Sequence, residues 1–134
     1  VPGRPDRAGN MLEIEQLGQE GFLTLISGLS SAGQGNNATL EYAIGGYSAF
    51  VTQRGKEAQR GQAVQAYITA LSKAGDQQVK SFLISQLELV GKDDAVTTLQ
   101  QYLNDEMLAD PATRALVKIN TSGAKAALLA ALPS

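Results

Sequence analysis

An internal repeat constrains the fold of this chain more than any other feature of its sequence. Ala95, Val96, Leu99 and Leu103 match Ala63, Val64, Tyr67 and Leu71, which lie 32 positions earlier. Three of the four recur 29 positions later, as Ala124, Leu128 and Leu132. The preceding stretch repeats in step, since Leu87 and Val90 recur as Leu116 and Ile119. Self-similarity at such a period is typical of proteins built from stacked structural units.

Each repeat unit is predicted to be a helical hairpin of about 30 residues. From Met11 onward apolar residues recur three and four positions apart, and the sequence contains no Asn-Gly or Asp-Gly hairpin turn. A two-helix unit cannot bury its apolar face alone, so neighbouring units must stack. The alternative is an irregular helical bundle in which apolar helices recur by chance. We therefore expect one all-α domain over residues 11–134, preceded by a flexible lead-in over residues 1–10.

Glycine, aspartate and proline mark the predicted helix boundaries. Gly18 separates two weakly signalled helices, and residues 30–37 form a polar loop before a helix over residues 38–53. Asp76 and Thr121 are candidate N-caps. Asp110 is a third candidate N-cap, because it precedes a proline suited to the first helical position. Gly45 and Gly46 lie inside the third helix, where each costs about 1 kcal/mol relative to alanine. A close approach between helices explains them best.

The repeat resembles a known family of helical units. Residues 110–119 are similar to the Asp-x-x-x-Arg, Ala, Leu, Ile pattern of short bacterial HEAT repeats, the kind named after phycobiliprotein lyases. Residues 76–90 and 95–103 form a looser copy of this pattern, in which Lys80 replaces the arginine. The resemblance covers residues 77–132 well and residues 38–72 moderately. It implies a right-handed α-α superhelix (a HEAT/ARM-like solenoid) of three to four helical hairpins. Nothing beyond the repeat matches a bilin-handling site.

A second, less specific resemblance concerns the surroundings of such repeats. Residues 83–87 and 102–106 look like HEAT-like arrays that precede a keto-disaccharide-hydrolase-type domain in exported bacterial proteins. This resemblance implies that the chain is part of a longer protein and favours a periplasmic or exported location over a cytoplasmic one.

Two absences in the sequence restrict its chemistry. The 134 residues include no His and no Cys, which removes the commonest general base, the commonest transition-metal ligand and every thiolate. A Ser-His-Asp or Cys-His constellation therefore cannot form within this chain. A net charge of −2 offers no general attraction to nucleic acid, and no apolar run approaches the ~20 residues that span a bilayer. We expect no catalytic residue, cofactor or metal, and neither nucleic acid nor membrane as a partner.

The charged residues that invite a functional role have structural explanations. Asp93-Asp94 and Asp105-Glu106 are predicted to cap helix starts, and Asp110 with Arg114 four residues later is predicted to form a structural ion pair. Binding of an anionic partner by Arg114 is the alternative. Arg54, Lys56 and Arg60 are clustered around a loop that we interpret as solvated. A phosphate- or nucleic-acid-binding solenoid would require these basic residues and Lys80 to converge on one face.

The last helix is apolar almost all round, whereas the terminal helix of a solenoid normally has a polar outer face. We predict an interface there, formed by Ala127, Leu128, Leu129, Ala131 and Leu132. Its partner is an attached downstream domain, another protein or a second copy of the chain. The alternative is that high alanine content alone explains the pattern.

These observations predict a non-catalytic HEAT-like repeat module for protein–protein interaction or scaffolding, because solenoids present extended concave surfaces. The alternative is an accessory domain of a larger exported carbohydrate-active enzyme of the glycoside hydrolase type.

Overall fold

Seven α-helices form the described part of the chain. The computed structural model describes residues 7–29 and 37–131, and these contain no β-strand. In order, the helices are α1 (Arg7–Ile26), α2 (Asn37–Phe50), α3 (Glu57–Lys73), α4 (Gln77–Val90), α5 (Asp93–Gln100), α6 (Ala109–Ile119) and α7 (Ser122–Ala130). The predicted all-α class is confirmed. The predicted lead-in is shorter than expected, because α1 already begins at Arg7. Residues 1–6 and most of the predicted 30–37 loop lie outside the described residues.

Gly18 divides α1 into two halves. Its backbone angles, φ 73° and ψ −175°, interrupt the helical conformation at the position where the sequence predicts a boundary between two helices. Side chains rarely adopt positive φ, whereas glycine does so without steric cost. The predicted break is therefore confirmed, although helical hydrogen bonding continues across it.

The helices contact one another in an alternating pattern. The odd-numbered helices touch in succession, α1 with α3, α3 with α5 and α5 with α7, and the even-numbered helices likewise, α2 with α4 and α4 with α6. Consecutive pairs that also pack closely are α1–α2, α3–α4, α5–α6 and α6–α7. The described helices thus form two rows that lie against each other.

Most of the repeat-matched residues in the described part of the chain lie in the core. Ala63, Ala95 and Ala124, which occupy equivalent repeat positions, are all buried. So are Leu87 and its counterpart Leu116. Burial of matched positions on different helices shows that the sequence repeat reflects packing.

An aromatic cluster joins the first three helices. The ring of Phe22 in α1 lies 4.8 Å from that of Tyr47 in α2 and 5.5 Å from that of Tyr67 in α3, measured between centroids. The hydroxyls of Tyr67 and Ser48 are hydrogen-bonded to each other, and both side chains are fully buried. Burial is the largest cause of the raised pKa of Tyr67, and the pair satisfies two polar groups that would otherwise be costly inside the core.

The predicted helix caps are partly confirmed. Asp76 caps α4, accepting hydrogen bonds from the backbone N–H groups of Gln78 (2.9 Å) and Val79 (3.0 Å), and Thr121 caps α7. The predicted Asp110 cap is wrong, because Asp110 lies inside the first turn of α6. Leu108 occupies the N-cap of α6, and its side chain forms no capping hydrogen bond. Asp105, which the sequence also predicts to cap a helix start, accepts hydrogen bonds from the N–H groups of Met107 (2.8 Å) and Leu108 (3.0 Å) in the turn that leads into α6.

The glycines of α2 do not mark a close helix contact at Gly45, contrary to the prediction. A Cβ added there would have no heavy atom within 4 Å. The close approach occurs instead at Gly91, between α4 and α5. An added Cβ would lie 2.6 Å from the carbonyl oxygen of Leu87 and 2.8 Å from the Cβ of Ala95.

Candidate functional site

An open groove lies where three helix ends meet. The end of α1, the end of α3 and the beginning of α4 enclose a volume of about 440 Å³. We call it the α1–α3–α4 groove, and its lining residues are Ile26, Ser27, Leu29, Ala70, Lys73, Ala74, Gly75, Asp76, Val79 and Leu83. The groove exists because the short turn between Lys73 and Gln77 brings the end of α3 and the beginning of α4 together beside the end of α1.

The lining of the groove is mostly apolar. Isoleucine, leucine, valine and alanine side chains from all three helices supply its wall. Gly75 leaves the space open, since nothing lies within 4 Å of the position of an added Cβ. Such a wall holds an apolar side chain by excluding water from it.

Two charged residues border the groove. Lys73 is exposed in the last turn of α3, where a cation complements the helix dipole. Asp76 is engaged as the N-cap of α4. One ammonium group beside an apolar wall can attract a carboxylate.

The structure separates the residues of the predicted C-terminal interface. Ala127 is buried in the core of this chain and Leu128 packs partly against that core, so these two predicted interface residues do not face outward. Helical spacing turns them toward α5 and α6, the helices that α7 contacts. Leu129 and Ala131 are exposed, as an interface requires. Leu132 lies outside the described residues.

The structure does not bring Asp110 and Arg114 together as the predicted ion pair. Both are exposed on α6, and the ion pairs formed among residues 7–29 and 37–131 are Lys56 with Glu15 and Arg60 with Asp94. The predicted structural role of this pair thus has no contact to support it here.

Arg60 forms a link that sequence analysis missed. Its guanidinium donates a hydrogen bond to the carbonyl oxygen of Val90 (2.7 Å) and lies 3.3 Å from the carboxylate of Asp94. Asp93 in turn accepts a hydrogen bond from the hydroxyl of Thr121. The beginnings of α3, α5 and α7 are therefore joined by polar contacts. The expected capping role of Asp93-Asp94 is confirmed in part: Asp94 accepts a hydrogen bond from the backbone N–H of Lys92 (2.9 Å), the N-cap of α5, whereas Asp93 pairs with Thr121.

Lys56 is also engaged, contrary to the interpretation of residues 54–57 as a solvated loop. Its ammonium lies 2.6 Å from a carboxylate oxygen of Glu15 and 4.8 Å from the centre of the Phe50 ring. With Lys56 and Arg60 both paired to carboxylates, the basic residues around this turn do not form a free cationic surface. The repeat offset places the beginnings of α3 and α5 near each other and so gives a sequence signal for Arg60 with Asp94, whereas it gives none for Lys56 with Glu15.

The comparisons with known proteins add no relative. The chain matches no protein-family model, no curated protein sequence and no solved structure. Within the described ranges, no group of three or more acidic residues is placed to hold a metal ion. No helix in those ranges has both the length and the hydropathy needed to cross a bilayer.

Proposed function

We propose that the chain is a non-catalytic helical-repeat module that binds a partner protein in the α1–α3–α4 groove. The groove carries this proposal, since it is an open, mostly apolar recess and, among the described residues that line it, Lys73 is the one cation. The absence of His and Cys from the sequence supports a binding role over a catalytic one.

The repeat architecture is part of the same proposal. Contacts between alternate helices and burial of repeat-matched residues support a right-handed HEAT-like solenoid of three to four hairpins. In such a stack, helix ends and turns are brought side by side, which creates recesses of the kind seen between α1, α3 and α4.

The chemistry of the groove defines its ligand. An unbranched or aromatic apolar side chain fits the wall, and a neighbouring carboxylate meets Lys73. We therefore propose an extended or helical segment of a partner protein in which one large apolar residue lies next to an acidic one.

A random-peptide phage library tests this proposal. Peptides selected on the protein should share an apolar residue beside Asp or Glu, and they should bind Gly75→Phe at least about tenfold more weakly. The added ring enters open space, so the fold is retained. Ser72→Phe is the matched control, because Ser72 is exposed on α3 and does not line the groove. Equal binding to Gly75→Phe and to the unmodified protein would disprove the proposal.

The accessory-domain alternative stays a prediction from the sequence. No particular contact among the described residues favours a carbohydrate-active partner domain over any other protein partner.

A further inference from the structure

The two ends of the helix rows present exposed apolar residues. Within the described chain α1 is the first helix of the odd row, and α6 and α7 are the last of the even and odd rows. Each interior helix of a row is covered by neighbours on both sides, whereas these helices have a row neighbour on one side only. The side chains that these two ends expose differ in charge.

The α1 end is apolar and acidic. Leu12 and Leu17 of α1 are 47% and 54% exposed. Glu13 and Glu20 are exposed beside them. Over its whole length, α1 contains three glutamates and one arginine, for a net charge of −2.

The α6–α7 end is apolar and basic. Val117 is 59% exposed and Leu129 is 68% exposed. Arg114, Lys118 and Lys125 are exposed on the same two helices. Against these three cations α6 and α7 contain one acid, Asp110, for a net charge of +2.

We propose that copies of this chain associate end to end, with the α6–α7 end of one copy packed on the α1 end of the next. The proposal rests on the stacked-helix architecture proposed above. Apolar residues at both ends supply the driving force, and opposite charges select this orientation. Like ends repel each other, so contact between two α1 ends or two α6–α7 ends is disfavoured. Such a head-to-tail contact leaves a free end on each side and builds an open chain of copies.

Light scattering after size exclusion, over a concentration series, tests the association. The mass should rise progressively above 14.1 kDa with concentration and fall as salt is raised, since salt screens exposed charges. A constant monomer mass overturns the proposal. So does a dimer that does not grow, because it signifies a symmetric contact between like ends.

Charge reversal tests the orientation. Lys118→Glu/Lys125→Glu and Glu13→Lys/Glu20→Lys should each remain monomeric, because one end of each variant has the wrong sign. An equimolar mixture of the two should associate again, since the acidic α6–α7 end of the first then meets the basic α1 end of the second. Lys80→Glu/Lys92→Glu is the control with the net charge of the first variant, and it should associate normally, because both lysines lie away from the two ends and from the groove lining. A mixture that stays monomeric overturns the proposal.

The groove provides an independent check. Gly75→Phe should associate like the unmodified protein, and the charge-reversed variants should still bind the selected peptides. Loss of association with intact peptide binding overturns this inference alone, while loss of peptide binding with intact association contradicts the proposed groove function alone.

Discussion

Tyr67 shows how a single buried hydroxyl links three helices. Its ring lies against Phe22 of α1, its hydroxyl pairs with Ser48 of α2, and its own backbone belongs to α3. Because the whole side chain is buried, ionising the phenol would place a charge in the core. The pKa of Tyr67 is therefore raised above its ordinary value of 10.0, and the hydrogen bond with Ser48 opposes only part of this increase.

This raised pKa predicts alkaline instability. Above about pH 10 the unfolded chain loses the Tyr67 proton while the folded chain keeps it, so the free energy of unfolding falls as pH rises. Tyr67→Phe should reduce this slope, and it should also cost about 1–2 kcal/mol at neutral pH because Ser48 loses its partner. Urea unfolding at about pH 8 and about pH 11 measures both effects.

Ser48→Ala provides the control for this experiment, because it removes the same hydrogen bond and keeps the phenol. It should lower the free energy of unfolding at neutral pH by about 1–2 kcal/mol and retain the alkaline slope. Burial also raises the pKa of Tyr47, where the charge of Glu15 adds to the increase, so some alkaline dependence should survive Tyr67→Phe. An unchanged slope in Tyr67→Phe would contradict the explanation.

Among the helices, Gly45 and Gly91 have opposite effects on stability. Gly45→Ala, inside α2 and without a heavy atom within 4 Å of the new Cβ, should raise the free energy of unfolding by about 1 kcal/mol. Gly91→Ala should lower it by about 1–3 kcal/mol, because the methyl group collides with the Leu87 carbonyl and Ala95. Thermal unfolding should separate the two variants by roughly 5–15 °C. A destabilised Gly45→Ala would show that α2 needs this glycine for a reason other than space.

Two aspartates that the sequence predicts to cap helix starts, Asp105 and Asp110, have different roles near the start of α6. Asp105→Ala should cost about 1 kcal/mol, since two backbone N–H groups lose their acceptor. Asp110→Ala should cost less than about 0.5 kcal/mol, because Asp110 is exposed and caps no N–H. Asp105→Asn retains a side-chain oxygen and should restore most of the stability. Urea unfolding of the three variants measures these changes in the free energy of unfolding. Equal losses of stability in Asp105→Ala and Asp110→Ala would contradict a capping role for Asp105.

Local signals were enough to predict many elements from the sequence, but contacts between distant elements were not predictable. Gly18 and Asp76 act within their own turns, so their roles follow from residue type and spacing. At α6 the Asp-Pro signal misplaced the N-cap by two residues, from Leu108 to Asp110, because proline is tolerated anywhere in the first turn, where its missing N–H has no partner to lose. Asp93 was misjudged as a cap because its actual partner, Thr121, lies 28 residues away.

At the scale of the whole molecule, periodicity predicted which residues enter the core but not how the helix ends meet. The repeat offsets matched buried positions on α3, α5 and α7. The α1–α3–α4 groove was invisible to such reasoning, because its wall combines three helix ends whose relative placement depends on packing. The outward side of α7 was likewise predicted only in part. Helical spacing divides its alanines and leucines between the core and the surface, with Ala127 inside and Leu129 outside.

The alternating contacts have a consequence for the way this chain folds. Every extensive helix–helix contact joins helices that are neighbours or next-neighbours along the sequence, so the average loop closed by a contact is short. Folding speed rises as contacts become more local, and helical proteins of low contact order fold in microseconds to milliseconds. Any three successive helices share at least two such contacts and can serve as the nucleus. Folding can therefore begin at several places along the chain and spread in both directions.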